Sequence, residues 1–566
     1  MSHESGEASS EGAQHWLPAS FPSRLPIEDL RARIRRRFAV LDTAENAIVM
    51  ERSELAMAWN RTLSVNRLPN ELLVTIFAEV AYALWASESR SPVNRLYPSS
   101  QWMKLIIVCR YWRDVAYASP KLWRVIHVRS PAHTGRALAL TSTATIDVLF
   151  GKYESHATNF QLLQPHAPRI RFLYLQVVDV VWKSSVVALL QGDGGMLALE
   201  ILYLPFSWKP AGHHEPTDKD FADLRLTSER YPHLRSLTLA FAVAPQDIKV
   251  YARLRKLSLR DCRCDFSFDH FLDVLEASTN LEILVLNSFL ERIQGDWAES
   301  ALARESPVSL RHLKSLEVTN HPPAHTSRFL SQILLSSTTP VSISSSVEVA
   351  LGEDLTETIP SMLPSNIATA LPALALVKAV AVEAYMLQYR LCCSLEPLAQ
   401  GKDLVSLRLQ SNVHWTDLSA NAGRDLLRVF ASAPLTSLTF AGHCADVGLE
   451  GWTEIFTTWP LLETLKLTQA DTGTECVFAG LMHAAPPPDS PVPCPSLQFV
   501  SIGGLFFEEA VDVLLQCLRA RAEKGHRLRR IWMGLTGEAD EEALMDTHYM
   551  PALRELVPDA TCAFRT

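Results

Sequence analysis

Leu254-Arg255-Lys256-Leu257-Ser258-Leu259 has the spacing L-x-x-L-x-L, and that spacing returns along most of the chain. It recurs as Ile170-Leu173-Leu175, Leu199-Leu202-Leu204, Leu234-Leu237-Leu239, Leu281-Leu284-Leu286 and Leu313-Leu316-Val318. It resumes as Leu404-Leu407-Leu409, Leu435-Leu438-Phe440, Leu462-Leu465-Leu467, Leu497-Val500-Ile502 and Leu528-Ile531-Met533. The last two apolar positions lie two apart, which puts both side chains on one face of a strand. Within each run of motifs the middle positions are separated by 20 to 35 residues, room for one strand and one return segment. Several returns carry apolar residues at helical spacing, as in Phe271-Leu272-x-x-Leu275, Leu426-Leu427-x-x-Phe430 and the set Val511, Leu514, Leu515, Leu518. One such unit cannot bury its own leucine edge, but neighbours stacked beside it can. The expectation is an elongated α/β array. The length agrees, since 566 residues exceed what one compact core holds, about 250–300.

The array blurs in places. Strands are expected at Val125–Val128 and Ile146–Leu149, joining whatever precedes them to the first repeat. Between Leu316 and Leu407 there is room for about three repeats at a period of roughly 30 residues. Only Leu371-Leu374-Leu376 fits the pattern there. The Ser- and Pro-rich stretches Ser336–Ser346 and Pro486–Pro495 read as loops, the second protruding from a repeat.

Ahead of the array lie two different segments. Met1–Ser20 is rich in Ser, Glu and Gly, the composition of a disordered tail, and has no apolar stretch of the signal-peptide kind. From Ile27 to Leu63 there is no Gly or Pro, and Ile27, Ile34, Leu41, Ile48 and Leu55 fall seven apart. The companion seam of a coiled coil would be Leu30, Arg37, Ala44, Glu51 and Ala58, which is half polar or small. The reading is one or two amphipathic helices packed along the body or against a partner, rather than a long dimer. The Arg31–Arg37 cluster reads as a solvated helix face.

Three further blocks follow in order: Leu68-Pro69-x-Glu71-Leu72-Leu73-x-x-Ile76-Phe77, then Val108-Cys109-Arg110-x-Trp112, then Ser119-Pro120-x-Leu122-Trp123. Pro69 suits the first position of a helix, and Leu72, Leu73, Ile76, Phe77 and Val80 continue at helical spacing. A second apolar helix is expected from Gln101 and a third over Arg110–Ala118. Three short helices leave apolar surface uncovered, which points to a partner.

These blocks resemble the F-box-like proteins that fungi hold in large numbers, and the downstream spacing resembles leucine-rich repeats. The resemblance implies docking on the adaptor of a cullin-based, SCF-type ubiquitin ligase, through Leu68, Pro69, Leu72, Leu73, Ile76, Val108, Cys109 and Trp112. The expected fold class is α/β: a short helical F-box, then an irregular leucine-rich-repeat solenoid, a curved parallel sheet with helices outside. The expected divisions are a tail over 1–22, a helix over 23–64, the box over 65–128 and the solenoid over 129–566. The sequence departs from the family pattern in an insertion over 85–100, expected to loop out because loop extension costs little. Cys109 has no motif partner that would make it a nucleophile, and a small buried hydrophobe is the simpler reading.

Composition excludes several alternatives. A net charge of −9 argues against sequence-independent nucleic-acid binding. Ten scattered cysteines suit a reducing, cytoplasmic or nuclear setting, and no run has the roughly 18 apolar residues of a membrane span. Phosphate-loop, nucleophile-elbow and H-E-x-x-H motifs are absent, so no cofactor, metal or catalytic residue is expected. Pro322 and Pro323 separate His321 from His325, and Cys262-x-Cys264 lacks a second pair.

The residue between the last two leucines of each motif should face away from the core. Among these, Tyr174, Tyr203, Arg408 and Trp532 are of types enriched in interfaces, and with the cationic Lys466 they are the expected target-binding residues. Two functions fit: a ligase substrate receptor binding the adaptor, through it a cullin, and a target protein; or a scaffold in which the box only caps the array.

Overall fold

The computed structural model describes residues 26–88, 100–151, 157–175, 178–179, 182–207, 221–293, 306–347, 357–385, 387–396, 403–412, 418–470, 473–483 and 492–565. Contacts divide the chain into two compact units, Met1–Leu122 and Trp123–Thr566. The chain is α/β: a helical N-terminal region, then a long, mostly parallel sheet with helices in a solenoid-like arrangement.

In the second unit, Val125–Val128 pairs with Ile146–Phe150, and Ile170–Leu175, Ile201–Ser207, Ser236–Ala240, Lys256–Arg260, Ile283–Asn287 and Ser315–His321 add in order, all parallel. All eleven motifs place their last two apolar residues on strands. Leu202, Leu237, Leu257, Leu284 and Leu316 lie side by side in register and fully or nearly fully buried. The expected returns are helices, Phe268–Ala277, Leu418–Phe430 and Glu508–Glu523, each burying the apolar positions that face the leucines. Where the step is only 20 residues, between Leu237 and Leu257, the return shrinks to the single turn Ile248–Tyr251.

A second thread fixes the stack at the rim before the strands. The N–H of Glu200 donates to Arg171 O at 2.8 Å, Arg235 to Glu200 at 2.8 Å, and Arg255 to Arg235 at 2.7 Å. Glu282 then donates to Arg255 at 2.7 Å and Lys314 to Glu282 at 2.6 Å. Side chains follow the backbone: Glu282 lies 2.9 Å from Lys314 and 3.8 Å from Arg255. At the start of the array Asp147 takes two bonds from Arg171, 3.0 and 2.6 Å, with Arg124 at 3.3 Å.

The region between Leu316 and Leu407 departs from expectation in three ways. Leu371-Leu374-Leu376 is not a strand: Pro372–Leu376 forms a 3-10 turn, with Pro372 at its start and Leu376 exposed. The serine-rich stretch is not a loop, since Val341–Val347 is a strand between Ser315–His321 and Val405–Ser411. Val341 and Ile343 take the core positions that leucines hold elsewhere, beside Leu316 and Val318. Finally, Ala379–Tyr385 and Gln388–Ser394 form a hairpin, with Tyr385 opposite Gln388. The hairpin enters the sheet in reverse order: Gln388–Ser394 runs antiparallel to Val405–Ser411, and Ala379–Tyr385 runs parallel to Ser437–Ala441. From there Thr464–Ala470, Phe499–Leu505, Arg530–Thr536 and Asp559–Arg565 complete a parallel run.

Helix Leu418–Phe430 crosses behind this hairpin and carries a carboxylate into it. Asp425 is 1% exposed, and one of its oxygens accepts from the Ile359 N–H at 2.8 Å and from the Tyr389 hydroxyl. Those two donors come from a 3-10 turn and from the antiparallel strand, so one carboxylate ties three elements together. The Pro486–Pro495 expectation falls partly outside the described residues. Of the described part, Cys494 is buried and Arg521, only 3% exposed, donates to the carbonyls of Pro493 and Cys494 at 2.7 and 2.9 Å. That end of the stretch is pinned, not protruding.

Asp425→Ala should cost about 2 kcal/mol, because the buried Tyr389 hydroxyl loses this acceptor while the Ile359 N–H keeps only the Tyr389 oxygen, and a urea midpoint that does not move would refute this account. Burial raises the Asp425 pKa, so its contribution is fullest in acid and declines as pH rises through that raised value. Asp425→Asn, which keeps an acceptor and cannot ionise, should therefore gain stability relative to the native chain as pH rises above the ordinary carboxylate pKa of about 4. A pH-independent difference in melting temperature would count against it.

Candidate functional site

In the first unit, α1 spans Ile27–Thr62, α2 spans Asn70–Glu88 and α3 spans Arg110–Tyr117. Pro69 stands just before α2, where its missing N–H is not needed, and its carbonyl accepts from Leu72 and Leu73 at 3.0 and 3.2 Å. The expected middle helix is a 3-10 segment, Ser100–Ile107. The insertion does not begin as a loop at residue 85, because α2 continues through Glu88; residues 89–99 lie outside the described part.

Leu73 and Phe77 of α2 and Val115 and Ala116 of α3 form a small buried core, against which Leu68, Leu105, Ile106 and Trp112 pack. The Phe77 and Trp112 rings are 5.0 Å apart, and the Trp112 indole N–H donates to Asn66 at 2.6 Å. Cys109 caps α3, its sulfur accepting from the Trp112 N–H at 3.4 Å.

The structure sorts the eight sequence-selected box residues by exposure. Leu72 is 51% exposed, Ile76 41% and Val108 58%, and Pro69 is also open. Leu68, Cys109 and Trp112 are half-buried. Leu73 is a correction: it is fully buried, one residue round the helix from Leu72, and holds the face from beneath. Leu72 and Ile76 are four apart and so lie on one stripe of α2, about 100° from the buried Leu73 and Phe77. Ile107, 72% exposed, was missed by the sequence reading. It stands next to Val108 in an unbroken apolar run, which no periodicity divides into faces.

On the sheet, the five expected target-contacting residues separate in the same way. Tyr174 is a correction, being fully buried, its ring stacked at 4.5 Å on Tyr203. Tyr203, Arg408 and Lys466 are half-buried and Trp532 is 39% exposed. The row skips Arg408. Glu317 aligns with Ser342 and Ser406, and the hairpin carries that register through Cys392 and Ala381 to Thr439, Lys466, Ser501 and Trp532. Arg408 aligns instead with Ser344 and Arg390, one position further along the same face. Beside Trp532 the sequence missed Gly534: a β-carbon at that position would come within 2.3 Å of the Trp532 ring, so the indole occupies the space a side chain would take there.

Other charged or reactive groups are already committed. Asp247 accepts from the Ser228 and Lys249 N–H groups at 2.8 and 3.0 Å, and Arg263 pairs with Asp265 at 2.7 Å. These line a cleft with Asp223 and Arg225. Cys262 and Cys264 are buried, and burial pushes both thiols up to about 12, which keeps them protonated. Burial takes the His321 pKa down to about 3, and Pro322 and Pro323 separate it from His325 in the next helix. Among the described residues no group of three or more His, Cys, Asp or Glu is placed to hold a metal, and no helix is long and apolar enough to cross a membrane.

The F-box-like family matches residues 65–129, the stretch that contains this core and its exposed face. An F-box-like domain is therefore present, and it suggests a role in binding an SCF-type adaptor. No curated protein matches the chain.

The exposure pattern separates two neighbouring leucines. Leu72→Asp should change stability by less than about 0.5 kcal/mol, whereas Leu73→Asp, burying an unpaired charge, should unfold the box. Hydrogen exchange over residues 65–122 measures both, and equal protection in the two variants would contradict the assignment of faces.

Proposed function

We propose that this chain is the substrate receptor of a cullin-based, SCF-type ubiquitin ligase. Its F-box docks on the adaptor, which carries the cullin, and its leucine-rich repeats bind a target protein. The observation that carries this reading is the pair Leu72 and Ile76. Both are exposed on one stripe of α2, inside the matched domain, above the buried Leu73 and Phe77. Two large aliphatic side chains in water at helical spacing form an anchor pair of the kind that dominates helix-in-groove contacts. Pro69 and Val108 extend the docking surface, with Leu68, Cys109 and Trp112 setting its geometry and Leu73 supporting it from the core.

The receptor does no chemistry. It raises the local concentration of target lysines at a catalytic centre that other subunits supply. The target is held on the sheet face opposite the leucines, at Tyr203, Arg408, Lys466 and Trp532. In this reading residues 65–128 are the box and 129–566 the repeats, and the protein works in the cytoplasm or nucleus.

Leu72→Glu with Ile76→Glu should weaken adaptor binding by about a hundredfold or more, the loss of roughly 3 kcal/mol expected for two interface anchors. The measurement is calorimetric titration of the full chain with purified adaptor. Native affinity in the double variant, or no affinity in the native chain, would sink the ligase reading.

A further inference from the structure

Among the described residues of the first unit, helix α1 is the largest element with no buried face. Its 36 residues make a rod about 54 Å long. None of those residues is buried. Leu41, Ile48, Leu55 and Trp59 are 40%, 56%, 64% and 71% exposed. A helix of this length with an apolar residue at every seventh position from Ile27 to Leu55 gains most of its stability by burying that row.

Charge decides what covers it. In the heptad set by Ile27, Ile34, Leu41, Ile48 and Leu55, the second seam position holds Arg37 and Glu51, with Ala44 midway between them. Two copies side by side in parallel would bring Arg37 against Arg37 and Glu51 against Glu51. They would also superpose the five arginines of residues 31–37 on their own copies. Antiparallel copies centred between Leu41 and Ala44 give the opposite result. Each Leu41 packs on the second copy's Ala44, and each Arg37 lies one layer from the second copy's Glu51, twice by symmetry. The flanking Arg33 then meets the second copy's Glu54. One like pair, Arg31 against Arg52, remains at the solvated rim, and Arg31 already has Glu28 at 3.0 Å. The small side chains of Ala44, Ala47 and Ala58 allow close approach.

We propose that α1 is an antiparallel homodimerisation helix, with Arg37 and Glu51 forming reciprocal ion pairs across the seam. The proposal departs from the reading of the half-polar seam as evidence against a dimer, because its polar positions conflict only in the parallel arrangement. It does not depend on adaptor docking. Sedimentation equilibrium of the full chain should give twice the 63.1 kDa of one copy. Arg37→Glu should raise the dimer dissociation constant about tenfold or more, since it sets like charges across each pair. Arg37→Glu combined with Glu51→Arg should restore native dimerisation, which a parallel dimer or a bound foreign partner does not explain. Helicity by circular dichroism, measured at a concentration where every variant is monomeric, checks that the changes act on association. A monomeric native chain, a dimer indifferent to Arg37→Glu, or a double variant as weak as the single one would each overturn the proposal.

Discussion

A strand-and-return unit with two apolar edges has no stable form alone, and that constraint governs the second unit. Each leucine ladder residue is dry only because the same position of the next repeat lies against it, so burial is a property of neighbouring pairs. The constraint tolerates large variation in the return, from the single turn Ile248–Tyr251 to the sixteen-residue helix Glu508–Glu523, provided the strand register is kept. The rim chain from Arg171 to Lys314 keeps it: backbone bonds link each repeat to the next, with Glu282 also paired to Arg255 and Lys314, and fix each strand against a two-residue slip.

The same constraint explains how a hairpin can interrupt the array. Adding Ala379–Tyr385 and Gln388–Ser394 leaves every edge paired, because the hairpin supplies an antiparallel edge to Val405–Ser411 and a parallel one to Ser437–Ala441. The crossover helix that must then span two extra strands is the one that carries Asp425. A buried carboxylate is costly, and this one sits where the repeat logic fails and specific polar bonds must replace generic stacking.

What was legible in the sequence follows from this physics. The leucine ladder was legible because strand pairing forces one residue class to recur at one spacing, and all eleven motifs are on strands. Val341–Val347 was not, because a strand between two paired neighbours needs apolar residues only on its core face. Val341 and Ile343 share that face with the buried Ser345 while Ser342, Ser344 and Ser346 take the other, and a count of serines reads as a loop. Leu371-Leu374-Leu376 misled for the opposite reason: it has the spacing without the strand, and Pro372 starts a 3-10 turn there. Tyr174 was placed on the correct face of its strand, but facing away from the leucines does not ensure contact with water. Phe172 and Tyr203, on the same face, stack against it.

The two units use exposed apolar side chains differently. In the array, large side chains left in water are scattered, and the Trp532 ring occupies the space a side chain at Gly534 would take. In the first unit Leu72 and Ile76 stand four apart on α2, and along α1 the exposed set includes Leu41, Ile48 and Leu55 at seven-residue spacing. Single exposed leucines need no explanation, since much of any protein surface is apolar. Ordered ones do, because each exposed aliphatic side chain forgoes roughly 1.5–3 kcal/mol of burial and aligned rows concentrate that deficit on one face. The two rows lie on different helices and have different periods. A four-residue stripe on a short helix fits a partner that grips it locally, and a seven-residue stripe along a rod fits another helix along its whole length. In the two readings proposed above, the first unit is completed from outside twice, by two different kinds of surface.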